Sequence, residues 1–267
     1  MASIEGLRAS SVTAYAGGSL DDADVTRALA TRLAQGGPEG RRAPYYRAKR
    51  IMDVALILMA ALVVLPVVIL LGVLVRLGSP GPAIFTQERL GARWTRRDGL
   101  WGWELRPFKF YKLRTMVQDA DPTPHRTYLA AYIAGDVGAI ELANPGASDG
   151  SYKIACDPRV TRIGSVLRAL SLDELPQLWN VLKGDMSLVG PRPPLTYEVA
   201  RYTPDQMQRL AGPAGITGWW QVNGRSTLTF QEMLDLDTFY LDRQSLFFDI
   251  RILARTLGVV LTGRGAG

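Results

Sequence analysis

Residues 54–75 read VALILMAALVVLPVVILLGVLV, a run without a single charge that Arg76 closes. As a straight helix the run is about 33 Å long, close to the hydrocarbon thickness of a bilayer. A buried core helix is the competing reading, and an apolar run of this length is rare in soluble folds. The residues ahead of it favour a membrane: Arg41, Arg42, Tyr45, Tyr46, Arg47, Lys49 and Arg50 form a basic and aromatic collar. Such side chains settle at the headgroup level, and a positive flank keeps its end of a helix cytoplasmic. The other flank is basic too, with Arg76, Arg89, Arg93, Arg96 and Arg97. Pro66, near the middle, cannot donate to the Leu62 carbonyl, so a kink is expected there. Two basic flanks around a central break predict a re-entrant helix, one that enters, bends and returns to the same face, ahead of a simple span.

The 267 residues suffice for one large domain or two small ones. Lys and Arg number 31 against 25 Asp and Glu, a formal charge of +6. That surplus suits anionic partners, whether nucleic acid, lipid headgroups or nucleotide phosphates. The single cysteine, Cys156, excludes an internal disulfide framework and Cys-rich metal sites. With His125 the sole histidine, Ser-His-Asp and multi-histidine metal chemistry have almost no material. Acid–base or nucleophilic work therefore falls to carboxylates, lysines or hydroxyls.

Residues 1–40, rich in Ala, Gly, Ser and Asp and ending near Gly36-Gly37-Pro38, read as a mobile tail with room for a short helix over Arg27–Leu33. No apolar core follows Met1 at signal-peptide distance. Beyond the apolar run, Ala83–Gln87 and Glu104–Leu113 read as strands with a turn at Asp98-Gly99 between them. Residues 117–155 carry Pro122, Pro124, Pro145, Gly146 and Gly150 and read as a variable insertion, with His125 a solvated loop residue. Helices are expected over Val160–Ala169, Leu175–Leu182, Thr196–Tyr202, Phe230–Asp242 and Asp249–Leu261. The last pairs Phe247, Phe248, Ile252 and Leu253 with Arg251 and Arg255, which suits a membrane surface and core packing equally. No internal repeat is seen.

Ser171-Leu172-Asp173-Glu174 has the form of a capping box opening the helix of Leu178 and Trp179. Alternatively Asp173 is the N-cap, which puts Pro176 at the third helical position, where no bond is lost. Either way two carboxylates sit at a helix N-terminus, an environment that keeps an Asp ionised and attracts phosphate. Ordinary capping acids would look the same. The neighbours change the weighting: Arg159, Arg162 and Arg168 lie upstream, and Lys183, Asp185 and Arg192 downstream. Arg192 belongs to a stiff Gly190-Pro191-Arg192-Pro193-Pro194 loop, and a fixed guanidinium is a good phosphate ligand. Lys109, Lys112 and Arg114 add cationic donors.

Five blocks carry a family resemblance: KRIMD (49–53), SPGPAIFTQERLG (79–91), FYKLRTM (110–116), DPRVTRIGSVLRALSLDELPQLWNVLKGDMSLVGPRPP (157–194) and GITGWWQVNGR (215–225). In order and spacing they resemble the bacterial sugar transferases, monotopic phosphoglycosyl transferases that start exopolysaccharide, O-antigen, capsule and glycoprotein glycan assembly. The resemblance runs from Lys49 to the C-terminus, apart from 117–155. It implies an α+β fold, mostly helical with a few short strands. Residues 1–40 would be a tail, 41–78 the collar and re-entrant helix, and 79–267 the catalytic domain on the cytoplasmic face of the plasma membrane. It further implies that Asp173 attacks the β-phosphate of a UDP-sugar, releases UMP and carries the phosphosugar until polyprenol (undecaprenyl) phosphate takes it. Glu174 would assist in proton handling or metal placement. Mg²⁺ would be the cofactor, with Asp173 its ligand. Arg168, Arg192 and Pro193 would lie near phosphate or nucleotide, with Lys112 and Arg114 as weaker candidates. Two departures stand out: the additional transmembrane helices of larger members are absent from the sequence given, and the 117–155 insertion has no matching motif. The sugar is undetermined, and so is the oligomeric state, a homodimer being among the options. A non-catalytic membrane-bound scaffold is the alternative from another class. Nucleic-acid binding is not expected, because the cations are dispersed and no recognised motif accompanies them.

Overall fold

The computed structural model describes residues 43–97, 100–145, 154, 157–224 and 227–262. The 1–40 tail, Arg41, Arg42, the Asp98-Gly99 turn, Gly146, Gly150, Cys156 and Arg225 lie outside the described residues. The described chain is mixed helix and strand, mostly helical.

The apolar run forms one helix, α1 (Ala43–Gly78), which continues through Pro66. Its middle turns are bare: Leu58, Met59, Leu62, Val63, Leu65, Ile69, Leu70 and Val73 are all at least half exposed, Leu62 to 86%. At about 1.5–3 kcal/mol for each large aliphatic group left in water, that surface calls for an apolar medium. Both ends, by contrast, are docked. At the first end Lys49 pairs with Asp249 at 2.9 Å, Arg50 donates to the Val181 and Leu182 carbonyls, and Asp53 accepts from the Ser187 hydroxyl at 2.7 Å. Ile57 then packs against Phe108, Phe110 and Val181. At the far end Val75 packs against Leu113 and Leu167.

Strands β1 (Ile84–Arg97) and β2 (Leu100–Leu113) pair antiparallel from Ile84↔Leu113 to Arg97↔Leu100. Both are longer than the sequence reading, because the outer half of the hairpin lacks an alternating apolar face to announce it. One face of the hairpin carries Leu90, Ala92 and Leu105 into the main core, with Leu129, Tyr132 and Phe230. The insertion is not loop but two helices, α2 (Thr123–Ala134) and α3 (Val137–Ala143), and it supplies Leu129 and Tyr132 to that core.

Helix α4 (Arg162–Ala169) leads through a one-turn 3-10 segment, Leu172–Glu174, into α5 (Gln177–Lys183). Short strands β3 (Ser187–Val189) and β4 (Gly215–Thr217) pair in parallel at the base of the proline loop. At that base Gly190 and Gly215 touch backbone to backbone, where any Cβ would collide. Helices α6 (Thr196–Val199), α7 (Pro204–Met207), α8 (Trp219–Asn223), α9 (Phe230–Asp242) and α10 (Leu246–Thr262) complete the chain. Helix α10 buries Asp249 and Ile252 while Phe247, Ile250 and Leu257 stay exposed, so it packs on the core and keeps an apolar outer face.

Candidate active site

The acidic pair is presented by a reversal of the chain. Thr161 caps α4 by accepting from Gly164 N–H at 2.9 Å, and Gly164 lies flush against the Thr115 carbonyl. After α4, Ser171 adopts a left-handed conformation (φ 55°), which turns Asp173 and Glu174 back over the domain. The capping-box expectation fails here. Ser171 makes no side-chain cap, and α5 starts only after Pro176, whose ring fixes φ at −61° in the capping position. The dyad therefore precedes the helix rather than capping it.

Asp173 is 7% exposed. Burial raises its pKa, and the adjacent Glu174 adds to the rise; Lys112, Arg168 and Arg192 pull the other way. The expectation of a carboxylate kept ionised by a helix terminus is thus corrected: desolvation and a like charge dominate. Arg192 donates to Glu174 Oε1 at 3.0 Å, and Arg168 Nε donates to Thr115 Oγ1 at 2.9 Å. Lys112, set over the Phe85 ring at 5.6 Å, is pulled down to about 8 by burial, with Asp173 opposing and Arg168, Arg89 and Arg192 adding to the fall. Buried Asp173 and half-buried Glu174 thus sit among three cations.

Five predicted residues, Asp173, Glu174, Lys112, Arg168 and Arg192, are therefore brought together. Arg114 is not: it turns to the carbonyls of Ser79, Pro80 and Gly81 and shapes the exit of α1. Pro193 is buried and contributes its carbonyl, which accepts from Arg89 Nη1 at 2.6 Å.

The sequence matches the profile of the bacterial sugar transferases over residues 44–263. The chain belongs to the bacterial sugar transferase family. It is 35% identical over 256 residues to the UDP-glucose:undecaprenyl-phosphate glucose-1-phosphate transferase of Caulobacter vibrioides, covering 92% of this chain and 82% of that one. It is 40% identical over 220 residues to the galactosyl transferase CpsE of Streptococcus agalactiae, covering 82% of this chain and 43% of the relative. For the undecaprenyl-phosphate galactose phosphotransferase of Salmonella typhimurium the identity is 39%, over 70% of this chain and 35% of the relative. The chain thus spans less than half the length of the last two relatives.

This sugar transferase has no cluster of three or more His, Cys, Asp or Glu side chains among its described residues. The adjacent, mutually repelling Asp173 and Glu174 nevertheless suit Mg²⁺, an ion usually held by one or two carboxylates and completed by substrate phosphates and water. The residues present fit that cofactor.

His125 was misjudged by the sequence reading. It lies in α2, partly buried, with Nδ1 3.0 Å from the Tyr197 hydroxyl. Burial, then Arg89, Arg159 and Lys112, lower its pKa to about 4, so the ring is neutral at physiological pH. Pro124, in the first turn of α2, was the available signal: it starts a helix rather than breaking one. Arg89 went unrecognised because nothing in the sequence ties it to a loop more than a hundred residues away.

Proposed function

We propose that this chain transfers a phosphosugar from a UDP-sugar to polyprenyl (undecaprenyl) phosphate, releasing UMP, as an initiating step of exopolysaccharide, O-antigen, capsule or glycoprotein glycan synthesis. The observation that carries the reading is the gathering of Lys112, Arg168 and Arg192 around buried Asp173, in a domain docked to a membrane-type helix. An Asp173 oxygen attacks the β-phosphorus of the donor, and the bond from that phosphorus to the bridging oxygen breaks, so UMP leaves with that oxygen. An oxygen of the lipid phosphate then attacks the same phosphorus, and the acyl-phosphate bond breaks to restore the carboxylate. Lys112, Arg168 and Arg192 hold the phosphate oxygens and offset the charge that two anions bring to one site. Mg²⁺, held by Asp173 with Glu174, would neutralise diphosphate charge when bound. The pairing of Glu174 with Arg192 supports a role in orienting that arginine besides any proton handling. Incubation with UDP-sugar alone should add one phosphosugar mass to Asp173. An unmodified protein that still turns over with both substrates would exclude the covalent route.

We further read α1 as re-entrant, with both ends on the cytoplasmic side. Ile57 contacts Phe108 and Phe110, and Val75 contacts Leu113, so both ends of the apolar run reach one strand of one domain. A spanning helix would separate those ends by a hydrocarbon layer of about 30 Å. With Cys156 removed, single cysteines at positions 43 and 83 should react with an impermeant thiol reagent from the same side. Labelling from opposite sides would establish a span.

A further inference from the structure

The proline loop poses a problem of anchorage. Pro191, Pro193 and Pro194 have no N–H, so this segment offers acceptors but few donors, and its shape must be set by donors from elsewhere. Three anchors are backbone: Gly190 N–H to Thr217 O at 2.9 Å, Gly215 N–H to Pro191 O at 2.8 Å, and Leu90 N–H to Pro194 O at 3.0 Å. The fourth comes from a side chain, Arg89 Nη1 to Pro193 O at 2.6 Å. Pro191 and Pro193 flank Arg192, so two of the four anchors bracket the arginine that reaches Glu174.

Arg89 is itself buried and held through its terminal nitrogens and the Phe110 ring. It is 6% exposed, its guanidinium lies 4.8 Å from the centre of the Phe110 ring, and Nη2 donates to Gln87 Oε1 at 3.2 Å. A buried guanidinium needs a counter-charge, and Glu198 on α6 supplies it: burial pushes that carboxyl up, and Arg89 is the first influence to bring it down. The Tyr202 hydroxyl also donates to Glu198 at 3.3 Å. This arrangement costs desolvation of two charges. Toward the site Arg89 sends a hydrogen bond to the Pro193 carbonyl, beside its electrostatic influence on Lys112.

We propose that Arg89 is a positioning residue of the active site, fixing Arg192 beside Glu174 by holding the Pro193 carbonyl, with Glu198 as its buried counter-charge. This rests on the transferase reading for its functional consequence, though the tether itself does not. Arg89→Met alone would take from buried Glu198 its foremost counter-charge and leave only Arg209, so the test uses Arg89→Met/Glu198→Gln, which removes both charges together and should fold. UMP release should fall about 10- to 100-fold in kcat/KM, the scale of a lost charged hydrogen bond, mainly through KM for the UDP-sugar. The same pair placed in an Arg192→Met background should cost less than about threefold more, because its partner is already gone. Arg89→Lys, which keeps a donor and the charge, should recover part of the loss. Equal losses in both backgrounds would mean a general structural role and overturn the assignment. Amide hydrogen exchange at Arg192, Leu195 and Thr196 gives a readout without substrate: it should quicken in the paired variant. Unchanged exchange overturns the tether whatever the activity. Quickened exchange in a protein that releases no UMP from any UDP-sugar would retain the tether and reject the transferase reading instead.

Discussion

The carboxylate of Asp249, at the foot of α1, accepts from Lys49 Nζ at 2.9 Å, from the Tyr45 hydroxyl at 2.9 Å and from the Tyr240 hydroxyl at 2.7 Å. The carboxylate of Asp173 faces three cations and a like charge, yet receives no hydrogen bond among the described residues. Both acids are buried, at 0% and 7% exposure. A buried ion pair is tolerated when its carboxylate is well met by hydrogen bonds, and the Asp249 site, with three donors, meets that condition. The Asp173 site does not. Its arginines and lysine are held by other contacts, Arg192 on Glu174 and Arg168 on Thr115, and converge on a carboxylate that no donor has tied down. One site spends its charges on joining the apolar helix α1 to its domain; the other leaves a carboxylate among cations with no hydrogen bond among the described residues to hold it.

The strongest way to break this contrast is to neutralise each acid in turn. Asp173→Asn should cut UMP release by at least about 10³-fold, since an amide cannot form the acyl phosphate, with folding and membrane association retained. Asp249→Asn leaves Lys49 buried without its partner and should cost on the order of 3–5 kcal/mol, read as a lower urea midpoint. If Asp249→Asn abolished turnover at full stability, or if Asp173→Asn unfolded the protein, the division between anchor and reactive acid would be wrong.

How far this contrast could be read from the sequence differs between the two sites. The gathering of Arg168 and Arg192 around the dyad was legible because these residues lie close together in the sequence and in recognised blocks. The apolar run likewise announced α1, since its composition leaves water as an unsuitable solvent. Asp249 was not legible as the partner of Lys49, because the two are two hundred residues apart and each looks like a surface charge. Helices α2 and α3 were missed for a different reason. Pro124 reads as a breaker, yet it sits in the first turn of α2, and Gly135, which the sequence reading passed over, ends that helix in a left-handed conformation (φ 68°) that glycine adopts without strain. The punctuation was real, but it marked helix ends rather than loop. The dyad's own setting was misread similarly, because a tetrad that fits a capping box was given a left-handed turn at Ser171 by its packing.

A second, smaller effect tests whether the cations round Asp173 are poised rather than paired. With its pKa drawn down to about 8, Lys112 loses its proton at alkaline pH in the substrate-free protein. The profile of kcat/KM for the UDP-sugar should therefore decline above about pH 8, as free-protein groups report in that parameter. Lys112→Arg should keep its charge and flatten the alkaline limb, while Lys112→Met should lower kcat/KM by roughly tenfold or more at neutral pH, the range for loss of one charged phosphate contact. An alkaline limb that persists in Lys112→Arg would assign it to another group.

The smallest expected effect is the most direct measure of the difference between the two acids, because it concerns stability alone. Burial and Glu174 raise the pKa of Asp173, so folding favours its protonated form. The sign follows from linkage. A carboxyl raised on folding contributes its stability below its unfolded-state value of about 3.9, and loses that contribution as pH rises through the raised folded value. At neutral pH the Asp173 carboxyl therefore works against the fold, and Asp173→Asn, neutral throughout, should be more stable than the natural protein. Acidification should shrink the gain as the natural carboxyl takes up its proton, whereas Asp249→Asn should be less stable at neutral pH because Lys49 loses its ion-pair partner. Urea midpoints for all three proteins, followed from neutral pH downward, decide the matter. A loss of stability in Asp173→Asn near neutrality would mean that Lys112, Arg168 and Arg192 outweigh burial, making Asp173 an anchor of the same kind as Asp249.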